Sequence, residues 1–272
     1  MSGLNKTVVK EPGQREQASG RWRALVLLSL AELLGMSLWF SASAVVPALR
    51  LEWNLSDSTA GWLTIAVQLG FVCGTLLSAF LNLPDVLRVR YLFAASAMAG
   101  ALTNAAFGVY AHNAQTGIAL RFLTGMFLAG VYPPAMKILA TWFRHGRGLA
   151  LGVLVGALTL GKAVPYLVNG IGSADWRHNV LFISLLAVAG GLLVLFFVDD
   201  GPYALPAARF DWQQLARVFR NRSVRLANFG YFGHMWELYA MWTWIPFMIR
   251  ASLSIRKSEP ALAEVASFLV IG

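Results

Sequence analysis

At 272 residues, with 57% hydrophobic and 13% charged side chains, the chain is too apolar for a water-soluble domain, in which about a quarter of residues carry charge. Its formal net charge of +9 is strung out between apolar blocks and does not form one patch, which sets nucleic acid aside as a partner. The lone Cys73 excludes an intramolecular disulfide and a cysteine metal site, and reads as a small packing residue.

Uninterrupted apolar blocks of the ~20 residues needed to cross a bilayer fall at 24–48, 58–81, 91–111, 116–139, 148–170, 180–198 and 228–250. The predicted fold is therefore an all-α polytopic membrane protein with the lipid bilayer as its first partner. The first block has basic residues ahead of it (Lys6, Lys10, Arg15, Arg21, Arg23) and Ser41-Ala42-Ser43-Ala44 inside it, as a secretory signal has. Glu32 in its middle, its continuation to Pro47 and the blocks that follow argue for a retained anchor helix. An eighth block begins near 261 and ends with the chain at Gly272, too short to cross ~30 Å at 1.5 Å per residue, so the chain reads as truncated.

Small residues recur at four-residue spacing, Gly70 and Gly74 in the second span and Gly148, Gly152 and Gly156 in the fifth. In lipid, helices associate through close backbone approach, so both runs predict packing faces. Gly161 and Pro165 further along the fifth span predict a bend.

When the loops are assigned alternately to the two sides, fourteen of the 22 Lys and Arg fall on the side of the N-terminal tail and five on the other. The richer side includes Arg88 and Arg90 after the second span, Arg144 and Arg147 after the fourth, and Arg209, Arg217, Arg220, Arg222 and Arg225 in the stretch 199–227; the poorer side holds Arg50, Arg177, Arg250, Arg256 and Lys257. The N-terminus is thus predicted cytoplasmic. The chain divides into a cytoplasmic tail (1–23), a six-helix bundle (24–198), a basic cytoplasmic linker (199–227) opening on Asp199-Asp200-Gly201-Pro202, and the start of a second bundle (228–272).

The run Arg121-Phe122-Leu123-Thr124-Gly125, then Gly130, Tyr132-Pro133-Pro134, Trp142-Phe143 and Arg147-Gly148-Leu149-Ala150, resembles the fourth-to-fifth span signature of the major facilitator superfamily. Asp175-Trp176-Arg177 resembles the family's loop before its sixth helix, and Asp199-Asp200-Gly201-Pro202 its exit. Asp85, with Arg88 and Arg90 nearby, stands where the family has a gating loop, although the usual glycines and the basic residue directly after the aspartate are missing. The resemblance implies twelve helices in two six-helix bundles, of which this sequence holds the first bundle and the first one to two helices of the second. It also implies secondary transport of a small solute by alternating access, in an integral, multi-pass protein of the plasma (inner) membrane. Gly152, Gly161 and Pro165 follow the antiporter branch only in part, so import and export stay open.

A charge at the bilayer centre costs about 2.5 to 3.5 kcal/mol on insertion scales, which makes ionisable groups within spans the functional candidates. Glu32 in the first span and Glu237 in the seventh lie roughly 12 to 14 Å deep. His234 shares a helix face with Glu237, while Arg121 and Lys162 fall nearer the outer third. The resemblance implies that spans 1, 4 and 7 line a central cavity.

Glu32, Gly35, Trp39 and Ser43 form one stripe, and His234, Glu237, Met241 and Trp244 another. The two stripes are expected to line a solute pathway, with Glu32, Glu237 and His234 as proton-coupling candidates and Trp39, Ser43, Met241 and Trp244 as substrate contacts. Arg121 and Lys162 are candidates for holding an organic anion. Against this stand a static Glu32–Arg121 pair that fixes helix register, and ordinary packing for Trp39 and Trp244.

No metal or other cofactor is expected, because His234 and Glu237 offer two ligands without a partner cluster. An enzyme is disfavoured for want of a nucleophile turn or a zinc helix. The alternative to a proton-coupled symporter is a transporter-like sensor that binds solute without moving it. The short chain is expected to be inactive alone, since alternating access needs two bundles.

Overall fold

The structure, a computed structural model, describes residues 12–172, 175–203, 219–255 and 260–272. Lys6, Lys10, Arg209, Arg217, Arg256 and Lys257 of the loop-charge pattern lie outside the described residues.

In chain order the helices are α1 (Pro12–Met36), α2 (Ser41–Trp53), α3 (Asp57–Phe80), α4 (Leu83–Val86), α5 (Val89–Tyr110), α6 (Ala114–Leu128), α7 (Tyr132–Trp142), α8 (Arg147–Ile171), α9 (Trp176–Phe197), α10 (Arg222–Ile255) and α11 (Pro260–Ile271). Among the described residues, six segments are long and apolar enough to cross a membrane: Gly20–Trp53, Asp57–Phe80, Val89–Tyr110, Ala114–Trp142, Arg147–Ile171 and Trp176–Phe197. They coincide with the first six predicted spans. A six-helix bundle is followed by the first two helices of a second, α10 and α11. Helix α1 starts at Pro12, well before the predicted start at 24.

Two of the spans are broken in the middle, which the apolar pattern did not predict. The first is interrupted between Met36 and Ser41, where the amides of Trp39 and Ser41 reach back three residues to Met36 and Leu38 (3.0 and 3.4 Å). Local hydroxyls favour the break, as Ser37 Oγ donates to the Leu34 carbonyl (2.6 Å) and Ser41 Oγ to that of Leu38 (3.0 Å). The fourth span breaks at residues 129–131. There Pro133 and Pro134 restart the helix as α7, since proline fits the first turn but cannot continue a preceding ladder.

Helix α3 lies along α6, α5 along α9 and α6, and α1 between α8 and α9. The α3/α6 seam is built on glycine, as predicted for Gly70 and Gly74. A Cβ on Gly70 would fall on the Phe122 carbonyl, one on Gly74 on that of Met126, and one on Gly125 on that of Val67. The expectation for Gly148, Gly152 and Gly156 is corrected: nothing lies within 4 Å of a Cβ at any of them among the described residues, so they form no packing face here. It is Gly161, one turn beyond, that lets α8 close on the Leu33 carbonyl of α1. Cys73, expected to pack, is exposed.

At the end of the bundle opposite the start of α1, Glu52 ties the first span to the sixth. It accepts from Arg177 Nη1 and Nη2 (3.1 and 2.5 Å) and from Trp176 Nε1 (2.8 Å), which accounts for the Asp175-Trp176-Arg177 run. Trp53 and Phe107 close around Trp176, with ring centroids 5.9 and 5.8 Å away. The second half docks on the first through α11 against α8 and through aromatic side chains of α10.

Candidate functional site

Glu32 of α1 is fully buried, and neither carboxylate oxygen has a hydrogen-bond partner among the described residues. It lies within electrostatic range of the Lys162 ammonium on α8, without a direct ion pair, and of Tyr132 at the start of α7. A buried ionisable group without a hydrogen-bond partner is costly, so this arrangement calls for a functional explanation.

Lys162, 3% exposed, is held by rings. Its Nζ lies 4.2 Å from the ring centroid of Trp39, 4.4 Å from Trp242 and 5.0 Å from Tyr239, and donates to Tyr239 Oη at 3.3 Å. Desolvated cation-π contacts of this kind are worth ~2 kcal/mol or more. Trp39 and Tyr239 lie nearly parallel (5.9 Å, 29°), Trp242 stands edge-on to Tyr239 (5.3 Å, 89°), and Phe71 backs Trp39 at 5.1 Å. The break at residues 37–40 places Trp39 here, because it turns the chain out of the straight stripe that 3.6-residue spacing predicts. Three elements of the first half and one of the second thus meet at one buried point.

Arg121 does not belong to it, which corrects both roles expected of it. Fully buried on α6, its guanidinium donates from Nη1 to Ser41 Oγ (3.1 Å) and Asn104 Oδ1 (3.0 Å), and from Nη2 to the carbonyls of Leu38 (3.1 Å) and Trp39. Asn104 passes the network on to the Val180 carbonyl (3.2 Å) and Ser184 (2.9 Å) of α9. These donors are engaged by the residues of the helix break and by Asn104, and Arg121 makes no ion pair with Glu32.

Ser43 likewise turns away, sharing a 2.7 Å hydrogen bond with Thr64 of α3. On α10 the face is misassigned by roughly one residue in each turn. His234, Glu237, Met241 and Trp244 are exposed, whereas Leu238, Tyr239, Trp242 and Ile245 pack inward. The inward set has helical spacing too, and a helix rich in aromatic residues on all sides does not announce which face is covered. No third metal ligand approaches His234 and Glu237 among the described residues.

The candidate gating loop is tied to α7 and to the segment after α9. Asp85 on α4 pairs with Lys137 of α7 at 2.5 Å, and Lys137 Nζ also donates to the Pro84 carbonyl (2.7 Å). Arg90 reaches Asp199 (2.9 Å), and Arg88 stands at the N-terminal boundary of α5 without a side-chain capping bond. The segment after α9 folds back on α7, the Gly201 amide donating to Thr141 Oγ1 (2.7 Å) and the Tyr203 amide to the Thr141 carbonyl (3.0 Å). A cavity of about 260 Å³ opens between Arg88, Lys137, Thr141 and Asp200. Lys137 was missed because a lone lysine near a span end reads as an interface anchor.

The fold is shared with a bacterial homolog of the human lysosomal transporter Spinster, solved inward-facing and unoccupied: the TM-score is 0.62 at 17% identity, over 84% of this chain and 52% of that one. In sequence the chain is similar to the puromycin resistance protein of Streptomyces alboniger (29% identical, 62% of this chain and 35% of that one). It is also similar to the niacin transporter NiaP of Acinetobacter baylyi (25%, 61% and 38%) and the 4-hydroxybenzoate transporter PcaK of Pseudomonas aeruginosa (25%, 66% and 40%). The chain spans between about a third and a half of the length of these relatives. The family model described as Major Facilitator Superfamily matches residues 28–272, which takes in every element of the buried Glu32–Lys162 site, and the chain belongs to that superfamily.

Proposed function

We propose that this chain takes part in secondary transport of a small organic anion, coupled to a proton, with Lys162 as the anion's counter-charge and Glu32 as the group that carries the proton. The observation that supports this most directly is the burial of one cation and one unpartnered carboxyl group together where α1, the break that follows it and α8 meet α10. A lysine at such a place attracts an anion, and a carboxyl group without donors is a place where a proton is taken up and released as water reaches it from either side. Relatives named for niacin and 4-hydroxybenzoate, both acids, agree with an anionic solute. Alternating access would rock the first bundle against the second around this site, with Asp85, Lys137, Arg90 and Asp199 joining helices at the end where α1 begins. In this reading that end is cytoplasmic, in a plasma membrane. His234 and Glu237, exposed on α10, are not part of the site in this reading.

The test is uptake of a labelled organic anion into proteoliposomes under an imposed pH gradient, by a full-length relative substituted at the positions that match Glu32 and Lys162. Glu32→Gln is expected to abolish the response to the gradient while leaving anion exchange, and Lys162→Gln to abolish uptake of the anion. An unchanged gradient response in Glu32→Gln sinks the proton role. Binding without any net movement favours the sensor reading.

A further inference from the structure

The Lys162 ammonium is satisfied without any anion. It has three donors, and one points to Tyr239 Oη at 3.3 Å while the faces of Trp39, Tyr239 and Trp242 stand where further acceptors would be. No ion pair joins it to an acidic group among the described residues, although Glu32 is near. A lysine that merely waited for an anion would need no such enclosure. The enclosure is the kind of aromatic box in which proteins hold alkylammonium ligands. Here the ligand is tethered to the chain, on a flexible four-carbon stem that can leave.

We propose that Lys162 occupies a slot that an aromatic carboxylate takes over. The carboxylate draws Nζ off the rings into an ion pair, and the substrate's own ring settles among Trp39, Tyr239 and Trp242. The proposal rests on the anion reading above and narrows its substrate class. The near-parallel pair Trp39 and Tyr239 offers a face for offset stacking, and Trp242 at 89° to Tyr239 offers an edge-to-face partner, the two geometries that aromatic pairs prefer. The slot is also shared between the halves. Trp39 and Lys162 belong to the first bundle and Tyr239 and Trp242 to α10, so leaving the cage removes a cation-π link that pins α10 to the first bundle, and the substrate's ring replaces it. An anion without a ring would break the link and put nothing in its place.

The experiment is equilibrium binding of labelled benzoate, cyclohexanecarboxylate and benzyl alcohol to the purified chain in lipid nanodiscs. Benzoate should bind roughly five- to thirty-fold more tightly than cyclohexanecarboxylate, the worth of one or two aromatic pairs, and benzyl alcohol should bind far more weakly than either. Trp242→Leu should erase the preference between the acids, and Trp242→Phe should keep part of it. Lys162→Gln should weaken both acids by at least about tenfold, the loss of one charge-assisted hydrogen bond. Equal binding of the two acids to the native chain overturns the cage proposal, and needs no variant to fold. If Lys162→Gln still abolishes that equal binding, the anion reading survives alone. If neither acid binds the native chain, or benzoate binding is unchanged in Lys162→Gln, the anion reading falls and the cage proposal with it.

Discussion

The Arg121 guanidinium donates to the carbonyl of Trp39, whose ring lies under the Lys162 ammonium at 4.2 Å. A residue outside the site thereby fixes one wall of it. The helix break between Met36 and Ser41 leaves carbonyls without their usual intrahelical donors, and such groups in a bilayer must be satisfied from elsewhere. Arg121 satisfies two of them and reaches Ser41 and Asn104 as well.

Replacing Arg121 with Met should therefore destabilise the bundle by about 3–5 kcal/mol, the scale for breaking a buried hydrogen-bonded charge network. Arg121→Lys should do almost as badly, since an ammonium cannot span acceptors that a planar fork reaches from two nitrogens. Ser41→Ala should cost about 1 kcal/mol. Thermal unfolding in detergent, followed by tryptophan fluorescence, ranks the three. An Arg121→Lys protein as stable as the native one would refute the clamp.

The α3/α6 seam and the α8 glycines make a paired prediction. Gly125→Leu puts a side chain onto the Val67 carbonyl and should leave no monodisperse protein, whereas Gly152→Leu, with nothing within 4 Å, should stay within about 0.5 kcal/mol of native. Size-exclusion profiles and melting curves of the two separate them. Equal damage from both would show that spacing alone, and not the observed contact, governs these glycines.

The sequence carried the spans to within a few residues at most ends, because twenty apolar residues in a row have few other uses. It also carried Glu32 and Lys162 as functional candidates, since buried charge stands out in lipid. What it could not carry is direction. Glycine spacing is the same in α3 and α8, yet among the described residues only one run meets another helix. His234 and Glu237 drew attention because they ionise, but the covered face of α10 is chosen by the ring and aliphatic packing of Tyr239, Trp242 and Ile245. The breaks at residues 37–40 and 129–131 escaped because a hydropathy window averages over them. With the first break went the true role of Arg121.

At the near end of the bundle the Asp85–Lys137 pair is mostly buried, with side-chain exposures of 16% and 25%, while Arg90–Asp199 is open, Asp199 being 80% exposed. Salt should weaken the second and hardly touch the first. Asp85→Asn should cost about 1–2 kcal/mol and speed proteolysis at the turn around Asn82, Arg90→Gln should cost under about 1 kcal/mol, and the swap Asp85→Lys with Lys137→Asp should recover part of the loss. Limited proteolysis at low and high salt reads all three. A rank order reversed between the two pairs would show that the exposed pair, and not the buried one, holds the loop.

Where the second half meets the first at the far end, Arg250 of α10 binds Glu264 of α11 through Nε (2.8 Å) and Nη2 (2.7 Å), and Nη2 also reaches the Ala44 carbonyl (3.3 Å). Asn169 of α8 donates to the same carbonyl at 3.2 Å. Either single substitution, Arg250→Met or Glu264→Met, leaves the other charge buried and should loosen α10 and α11 from the bundle by about 3–5 kcal/mol. The double substitution to Met at both positions should cost much less than the sum, because two apolar side chains of similar volume replace a pair that was costly to desolvate. Thermal unfolding of the four proteins closes the cycle. Additive losses would mean that Arg250 and Glu264 act separately, with the Ala44 carbonyl and not the ion pair as the point that holds the two halves together.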